Sequence, residues 1–414
     1  MVESLKGFIA DFNKKADQRP DQLFAQFNGE AITFARLKKQ STTFAAELRL
    51  RGVQPGDRVA VMMRNSRLSL PVLFGIARAG AVWVPVNAQQ KGEGLRYILD
   101  HSKPRMVVCD REFHPTIVDC GAEISSDALI TIGEPYDEHS LETILQKKLG
   151  FADARLEADD LFAIMYTSGT TGRPKGVLVT HGMLRLAGEA VRILTAMKPG
   201  DVFFVWEPLF HIGGAQLITL PIIEDVTLAM IDRFSASAFW SQVRSAGATH
   251  IHYLGGILQL LLKQPESHLD RQHSVRIAWG GGCPRDVWPK FRDRFGVEIR
   301  ECKALVVGAL RTADRGISDT EGNLSFHGDI TDSIRCKGED VSAWRLEQVV
   351  ANHPALNDCA MIGGVAKRHP DDWCMFIDSG EVARLILAQL GAAFAGWQAE
   401  RINCRDRRAE CDEL

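Results

Sequence analysis

Through the first 300 positions the chain alternates short apolar runs with longer stretches whose apolar residues recur every three or four positions. Thr33 caps a predicted helix with apolar positions at Phe34, Leu37, Phe44 and Leu48, ending near Gly52. The turn Val53-Gln54-Pro55-Gly56-Asp57 then leads into a buried strand over 58–63. Further on, helices are expected over 70–79 and 93–101, with strands at 81–86 and 106–109. Strand and helix in regular alternation predict βαβ units, so the expected fold class is α/β with mainly parallel sheets and flanking helices. The same texture places strands at 161–166, 176–180, 201–206, 226–231, 250–254 and 275–279.

Beyond about residue 311 the pattern changes to short polar turns such as Asp319-Thr320-Glu321-Gly322-Asn323. A helix over 343–351 and a strand over 359–362 follow, and the tail from Glu381 reads as an amphipathic helix with a charged end. These features suggest a large N-terminal domain over 1–305 and a small α+β C-terminal domain over 306–414.

Composition narrows the function classes. Lys+Arg total 49 and Asp+Glu 52 among 414 residues, a formal net charge of −3. This balance carries none of the basic footprint of a nucleic-acid binder. The nine cysteines are scattered, with no CxxC pair, which argues against a structural zinc site or a disulfide scaffold. With no secretory signal pattern and no apolar run long enough to span a bilayer, a cytoplasmic protein with reduced thiols is expected. The closing Cys411-Asp412-Glu413-Leu414 is read as a charged tail rather than a retention signal.

The densest chemistry lies in Tyr166-Thr167-Ser168-Gly169-Thr170-Thr171-Gly172-Arg173-Pro174-Lys175-Gly176, between two predicted strands. Glycines let backbone N–H groups turn inward, hydroxyls donate to oxyanions, and Lys175 adds positive charge, which together suit a polyphosphate. The run is not a P-loop, because Pro174 stands where that motif needs glycine and no Ser or Thr follows Lys175. The plain alternative is a polar loop joining two strands.

This run closely resembles the signature loop of the adenylate-forming superfamily, which includes acyl-CoA synthetases, luciferases and the adenylation domains of peptide synthetases. Further segments match in the expected order. Pro208-Leu209-Phe210-His211-Ile212-Gly213-Gly214 is similar to the family segment whose His lies near the acyl carboxylate and ATP. Gly280-Gly281-Gly282-Cys283-Pro284 resembles the adenine-binding turn, and Arg311-Thr312-Ala313-Asp314 the element whose Asp holds the ribose. Lys337-Gly338-Glu339-Asp340-Val341-Ser342 resembles the start of the C-terminal lid. Residues 203–240 look nearest to carnitine- or crotonobetaine-type CoA ligases.

The resemblance implies a reaction in which a carboxylate attacks the α-phosphorus of ATP, and the acyl-adenylate then passes to a thiol such as coenzyme A. The implied cofactors are ATP, Mg²⁺ and coenzyme A, and the implied partners are a small carboxylic acid and these cofactors, with no nucleic acid and no membrane span; a homo-oligomer is a further expectation. His211, Lys175 and Thr170 take the catalytic roles, with Thr170 also on the metal. Thr167, Ser168, Gly169, Thr170, Thr171, Gly172, Lys175, Gly281, Gly282, Cys283, Pro284 and Asp314 bind nucleotide; Trp206, His211, Tyr253 and Trp279 line the acyl pocket. On the residues alone, alternatives stay open: Asp314 as a cap, His211 as a packed structural histidine, Gly281-Gly282 as an ordinary turn, and the aromatics as plain core.

Three departures fall in the C-terminal part. The Tyr-Gly-x-Thr-Glu segment expected after residues 297–301 is replaced by Lys303-Ala304-Leu305-Val306-Val307-Gly308, leaving Glu301 as a poor substitute for its metal-holding Glu. Asp329 stands where the family has an Arg. No lysine follows Lys367, where an adenylation lysine is expected. These departures keep two further readings in play: a nucleotide-binding protein without turnover, and an adenylation module that serves a carrier protein.

Overall fold

The computed structural model describes residues 7–167, 174–254, 256–284 and 286–301 in full. It also describes the backbone of 314–318, 324–329, 333–336, 339–342, 358–363 and 373–378. The chain divides into two compact units, Met1–Cys302 and Lys303–Leu414.

The strands of the first unit run Leu23–Phe27 (β1), Glu30–Thr33 (β2), Arg58–Met62 (β3), Val82–Pro85 (β4), Met106–Asp110 (β5), Leu129–Ile132 (β6), Leu161–Tyr166 (β7) and Gly176–Thr180 (β8). They continue with Val202–Val205 (β9), Thr227–Met230 (β10), His250–Leu254 (β11), Ile277–Gly281 (β12) and Glu298–Glu301 (β13). One sheet has the order β6-β5-β3-β4-β7-β8 and the other β13-β12-β11-β9-β10-β1-β2. Pairing is parallel except at one edge of each sheet, where β7/β8 and β1/β2 are antiparallel. The expected parallel α/β architecture therefore holds, with a hairpin closing an edge of each sheet.

Local chemistry explains the element boundaries. The helix Phe34–Leu50 begins where the Thr33 side chain accepts from the Arg36 N–H at 3.2 Å and ends before Gly52, whose φ of +83° only glycine adopts readily. The helix Ser69–Arg78 is buried along its whole length against Phe34–Leu50. Its Arg78 guanidinium survives burial because it bonds Asp153 at 2.6 and 2.7 Å, Asn13 at 2.7 Å and Ser41 at 2.9 Å. Phe12, Phe24, Phe34 and Phe74 pack edge-to-face and stacked at the centre of this core.

The second unit contains three antiparallel pairs among its described residues: Asp314–Ser318 (β14) with Leu324–Asp329 (β15), Ser333–Cys336 (β16) with Glu339–Ser342 (β17), and Asp358–Gly363 (β18) with Trp373–Asp378 (β19). β18 contains the strand expected at 359–362. The expected helix at 343–351, the tail from Glu381 and the segment 302–313 lie outside the described residues. No helix among the described residues is long and apolar enough to cross a membrane.

Candidate functional site

The loop 167–175 springs from the C-terminal end of β7, whose neighbour β4 runs parallel to it. In open α/β sheets, that end is where ligands bind. Its neck is closed by two backbone-directed bonds: the Thr167 N–H donates to the Lys175 carbonyl at 3.0 Å, and the Lys175 N–H donates to Thr167 Oγ1 at 3.1 Å. Just below, Tyr166 pairs with Gly176, and the Tyr166 hydroxyl lies 2.6 Å from His101 Nδ1. Burial raises the Tyr166 pKa, so the phenol stays neutral and available to that bond. Thr167 and Lys175 are exposed. Ser168, Gly169, Thr170, Thr171 and Gly172 lie outside the described residues.

His211 follows β9 and caps the short helix Ile212–Ala215. Its Nδ1 accepts the Gly213 N–H at 3.2 Å, which assigns the ring proton of a neutral imidazole to Nε2 and leaves that N–H as a donor on an exposed side chain. The turn before it is anchored from the other sheet. Asn65, buried just after β3, donates to the carbonyls of Glu207 at 2.8 Å and Ile231 at 3.3 Å, and accepts from the Leu209 N–H at 3.0 Å. The C-terminal ends of β3, β9 and β10 are thereby tied together.

The glycine turn lies at the end of β12. Gly280 and Gly281 belong to the strand itself, so the turn starts later than the sequence suggested. Gly280 backs onto Tyr253 so closely that a Cβ would collide with the Tyr253 carbonyl, whereas nothing lies within 4 Å of a Cβ at Gly281. Gly282 has a φ of +79°. The next N–H, of Cys283, donates to Glu301 Oε1 at 2.6 Å. Glu301 thus braces the glycine turn from β13, which is a different use from holding a metal. Burial and the negative charges of Glu301 and Asp286 push the Cys283 thiol up to about 11. Among the described residues, no group of three or more His, Cys, Asp or Glu side chains converges as a metal site.

The four proposed acyl-pocket residues do not form one wall. Strand alternation puts Trp279 against the core that contains Phe203 and Val205, while Trp206 and Tyr253 pack on the opposite face with Phe204 and Ile251. Trp206 Nε1 donates to the His252 carbonyl at 2.8 Å, and Tyr253 is fully buried, its hydroxyl pKa raised by burial and by Glu301. His211 is exposed on its own turn. Core packing describes Trp206 and Tyr253 better than a pocket lining.

The sequence reading passed over Glu207 and His252, which share the Trp279 face. Glu207 is only 2% exposed, and its Oε2 lies 2.7 Å from His252 Nδ1. A signal was present: His250 and His252 alternate on one face of an otherwise apolar strand, and a carboxylate directly follows the apolar run of β9. Asp314 opens β14 opposite Asp329 in the register, a like-charged pair of positions where the resemblance expects Asp and Arg. A cleft of about 340 Å³ between the helices Phe8–Gln18 and His181–Thr195, and a cavity of about 270 Å³ beside Asn28 and Gln242, contain none of the candidate residues.

Known proteins resemble this chain in sequence and in fold. A medium/long-chain-fatty-acid–CoA ligase of Mycobacterium tuberculosis is 30% identical over 297 residues, which cover 70% of this chain and 49% of that protein. The chain therefore matches about half the length of that relative. A crotonobetaine/carnitine–CoA ligase of Salmonella paratyphi A is 28% identical over 417 residues, covering 80% of each protein. Among solved structures, ATP-bound MatB of Rhodopseudomonas palustris superposes with a TM-score of 0.79 at 21% identity, covering 97% of this chain and 95% of that one. The anthranilate CoA ligase AuaEII in complex with anthranoyl-AMP gives 0.78 at 18% identity, with 98% and 94% covered. These structures share the fold. The AMP-binding enzyme family matches residues 12–304, and the chain belongs to that family.

Proposed function

We propose that this protein is an AMP-forming acid–CoA ligase, activating a carboxylic acid with ATP and passing the acyl group to coenzyme A. The observation that carries this reading is the loop closed by Thr167 and Lys175 at the C-terminal edge of a parallel sheet. Its sequence supplies hydroxyls, glycines and a cation, and phosphoryl chemistry asks mainly for positioning and neutralisation of charge.

In this reading Thr167, Ser168, Gly169, Thr170, Thr171, Gly172 and Lys175 cradle the phosphates, and Thr170 also meets Mg²⁺. The open backbone face at Gly281, with Gly282, Cys283 and Pro284, takes the adenine edge, while Asp314 holds the ribose hydroxyls. Mg²⁺ supplies charge neutralisation at the phosphates when bound. His211 offers its Nε2–H to the acid's carboxylate and orients it. The names of the relatives support a CoA thioester product and divide over the acid, a medium- or long-chain fatty acid for one and crotonobetaine or carnitine for the other.

A second reading, nucleotide binding without turnover, draws on Asp329 at the position of an expected cation and on the absence of lysine after Lys367. ATP–pyrophosphate exchange with a panel of small carboxylic acids decides between them. Exchange with any acid, followed by thioester formation on adding coenzyme A, is the expected result. ATP binding by calorimetry with no exchange for every acid would leave only the second reading. Thioester formation on a pantetheinylated carrier but not on coenzyme A would reassign the acceptor.

A further inference from the structure

The hairpin that carries the loop is only lightly bonded to its sheet. β8 is the edge strand, with β7 as its one neighbour among the described residues. β7 in turn pairs with β4 at a single position, Trp83 with Ala163. Beyond that pair, Ile164, Met165 and Tyr166 are bonded in the ladder to β8 alone, opposite Leu178, Val177 and Gly176. A two-stranded ribbon is marginal by itself and opens from its free end. Here the free end is the neck of the loop, so further restraint on it has to come from side chains.

Tyr166 supplies that restraint. Its ring lies across the backbone of Gly176, where a Cβ would stand 3.5 Å from Tyr166 Cζ, and so covers the partner strand as well as its own. Its hydroxyl lies 2.6 Å from His101 Nδ1, and the two rings meet edge to face with centroids 5.7 Å apart. A phenol hydroxyl donates or accepts, so the bond forms with either tautomer of the imidazole. His101 stands in the last turn of the helix Gly92–Ser102 and is itself stacked on Tyr97 at 5.4 Å. That helix is fixed to the body of the domain. Leu95, Ile98 and Leu99 are buried in one core with Ala60, Val84 and Val107, and Arg58 of β3 donates to the carbonyls of Ser102 at 2.8 Å and Lys103 at 2.9 Å.

We propose that His101 is a positioning residue for the phosphate loop. Through the Tyr166 hydroxyl it ties the free end of the β7–β8 hairpin to a helix anchored on the sheet. Tyr166 passes the restraint to both sides of the neck, to Thr167 along the chain and to Lys175 through Gly176. The neck is then in place before nucleotide arrives, and ATP binding carries less of the cost of ordering it. This rests on the reading of the loop as a phosphate cradle. The role needs no contact between His101 and either substrate, so it predicts an effect on ATP and none on the acid.

The test uses the full chain as wild type, His101→Phe, His101→Asn, Tyr166→Phe and the double variant of His101→Phe with Tyr166→Phe. Phe keeps a ring against Tyr97 and removes the bond, whereas Asn returns a polar atom near the place of Nδ1. ATP affinity by calorimetry is expected to weaken about two- to fivefold in His101→Phe and to recover in His101→Asn. Tyr166→Phe should weaken it at least as much, since Ser102 lies beside the same hydroxyl, and the double variant no further than Tyr166→Phe alone. In ATP–pyrophosphate exchange, KM for ATP should rise in His101→Phe while KM for the acid stays. Amide hydrogen exchange should quicken in peptides that cover 164–167 or 175–178 and not elsewhere in the domain. Unchanged ATP affinity in His101→Phe, a joint rise of both KM values, or a double variant weakened by the product of the singles overturns the proposal. If wild type binds no ATP, the reading of the loop fails and hydrogen exchange decides on His101. Quickening confined to the neck then upholds it as the anchor of the hairpin, and unchanged or domain-wide exchange overturns it.

Discussion

Thr167 and Lys175 hold each other through the backbone, each N–H bonding to the other residue, at 3.0 Å to the Lys175 carbonyl and 3.1 Å to Thr167 Oγ1. The oxygen of the Thr167 hydroxyl thus fixes the loop's neck as an acceptor and keeps its own O–H as a donor. Thr167→Val keeps the β-branched shape and removes that bond, a change worth about 1 kcal/mol, or roughly fivefold in the equilibrium it supports. The expected outcome is ATP affinity weakened by about that factor, with Thr167→Ser close to wild type. Equal weakening in both variants by calorimetry would place the hydroxyl's role elsewhere.

Glu301 and Cys283 make a second prediction. The thiol is pushed up to about 11 by burial first and then by the Glu301 and Asp286 charges, so at pH 8 it is almost entirely protonated. Glu301→Gln keeps an oxygen for the Cys283 N–H and removes the negative charge. The thiol pKa then falls and the thiolate fraction rises. Alkylation of the native protein by iodoacetamide, followed at the Cys283 peptide by mass spectrometry, should be slow in wild type and several-fold faster in Glu301→Gln. An unchanged rate at pH 8 would show that burial alone controls the thiol.

Much of the scaffold was legible in the sequence, because it depends on local signals. Thr33 and Gly52 bound their helix as caps, and the apolar runs at 58–62, 106–110 and 161–166 are strands close to the expected limits. The antiparallel edges were not legible, since β1, β2 and β8 differ from their neighbours only in partner and direction, which no local pattern records. The candidate site divided in the same way. The loop and the glycine turn announce themselves by composition, because backbone approach to a ligand demands particular residues. The Glu207–His252 pair does not, because two residues 45 positions apart meet only through the parallel order of β9 and β11. The division of Trp206 and Tyr253 from Trp279 follows from strand alternation, and is readable once the strand limits are known.

Two buried histidines give stability a pH dependence of definite sign. Burial pushes both His181 and His250 down to about 4 from an ordinary value of 6.5. As pH falls through 6.5 the unfolded chain takes up protons that the folded chain refuses, so stability declines progressively until pH 4, by on the order of 3 kcal/mol for each residue. Asp110 acts in the opposite sense. Raised to about 6 by burial, it favours the folded state when protonated, and its contribution is lost as pH rises from about 4 to 6. Two groups outweigh one, so Tm should rise with pH between 4 and 6.5. His181→Gln removes one of the two, and its Tm should vary less steeply across that window; parallel curves would show that His181 does not titrate there.

The adjacent glycines at the end of β12 should separate folding from ligand binding. At Gly280 an added Cβ would meet the Tyr253 carbonyl, which belongs to a paired neighbouring strand and cannot retreat without breaking the ladder. Gly280→Ala should therefore destabilise the domain by about 1–3 kcal/mol, the usual cost of overpacking, and lower Tm. At Gly281 the space is open, so Gly281→Ala should leave Tm within about a degree of wild type, as surface substitutions free of contacts generally do. That open space is where the backbone would approach a flat base, and the methyl would stand between the two. ATP affinity in Gly281→Ala is accordingly expected to fall at least tenfold, although the fold is intact. Thermal unfolding with calorimetric titration of both variants checks the pair. A Gly281→Ala protein that binds ATP like wild type would move the adenine edge away from this turn.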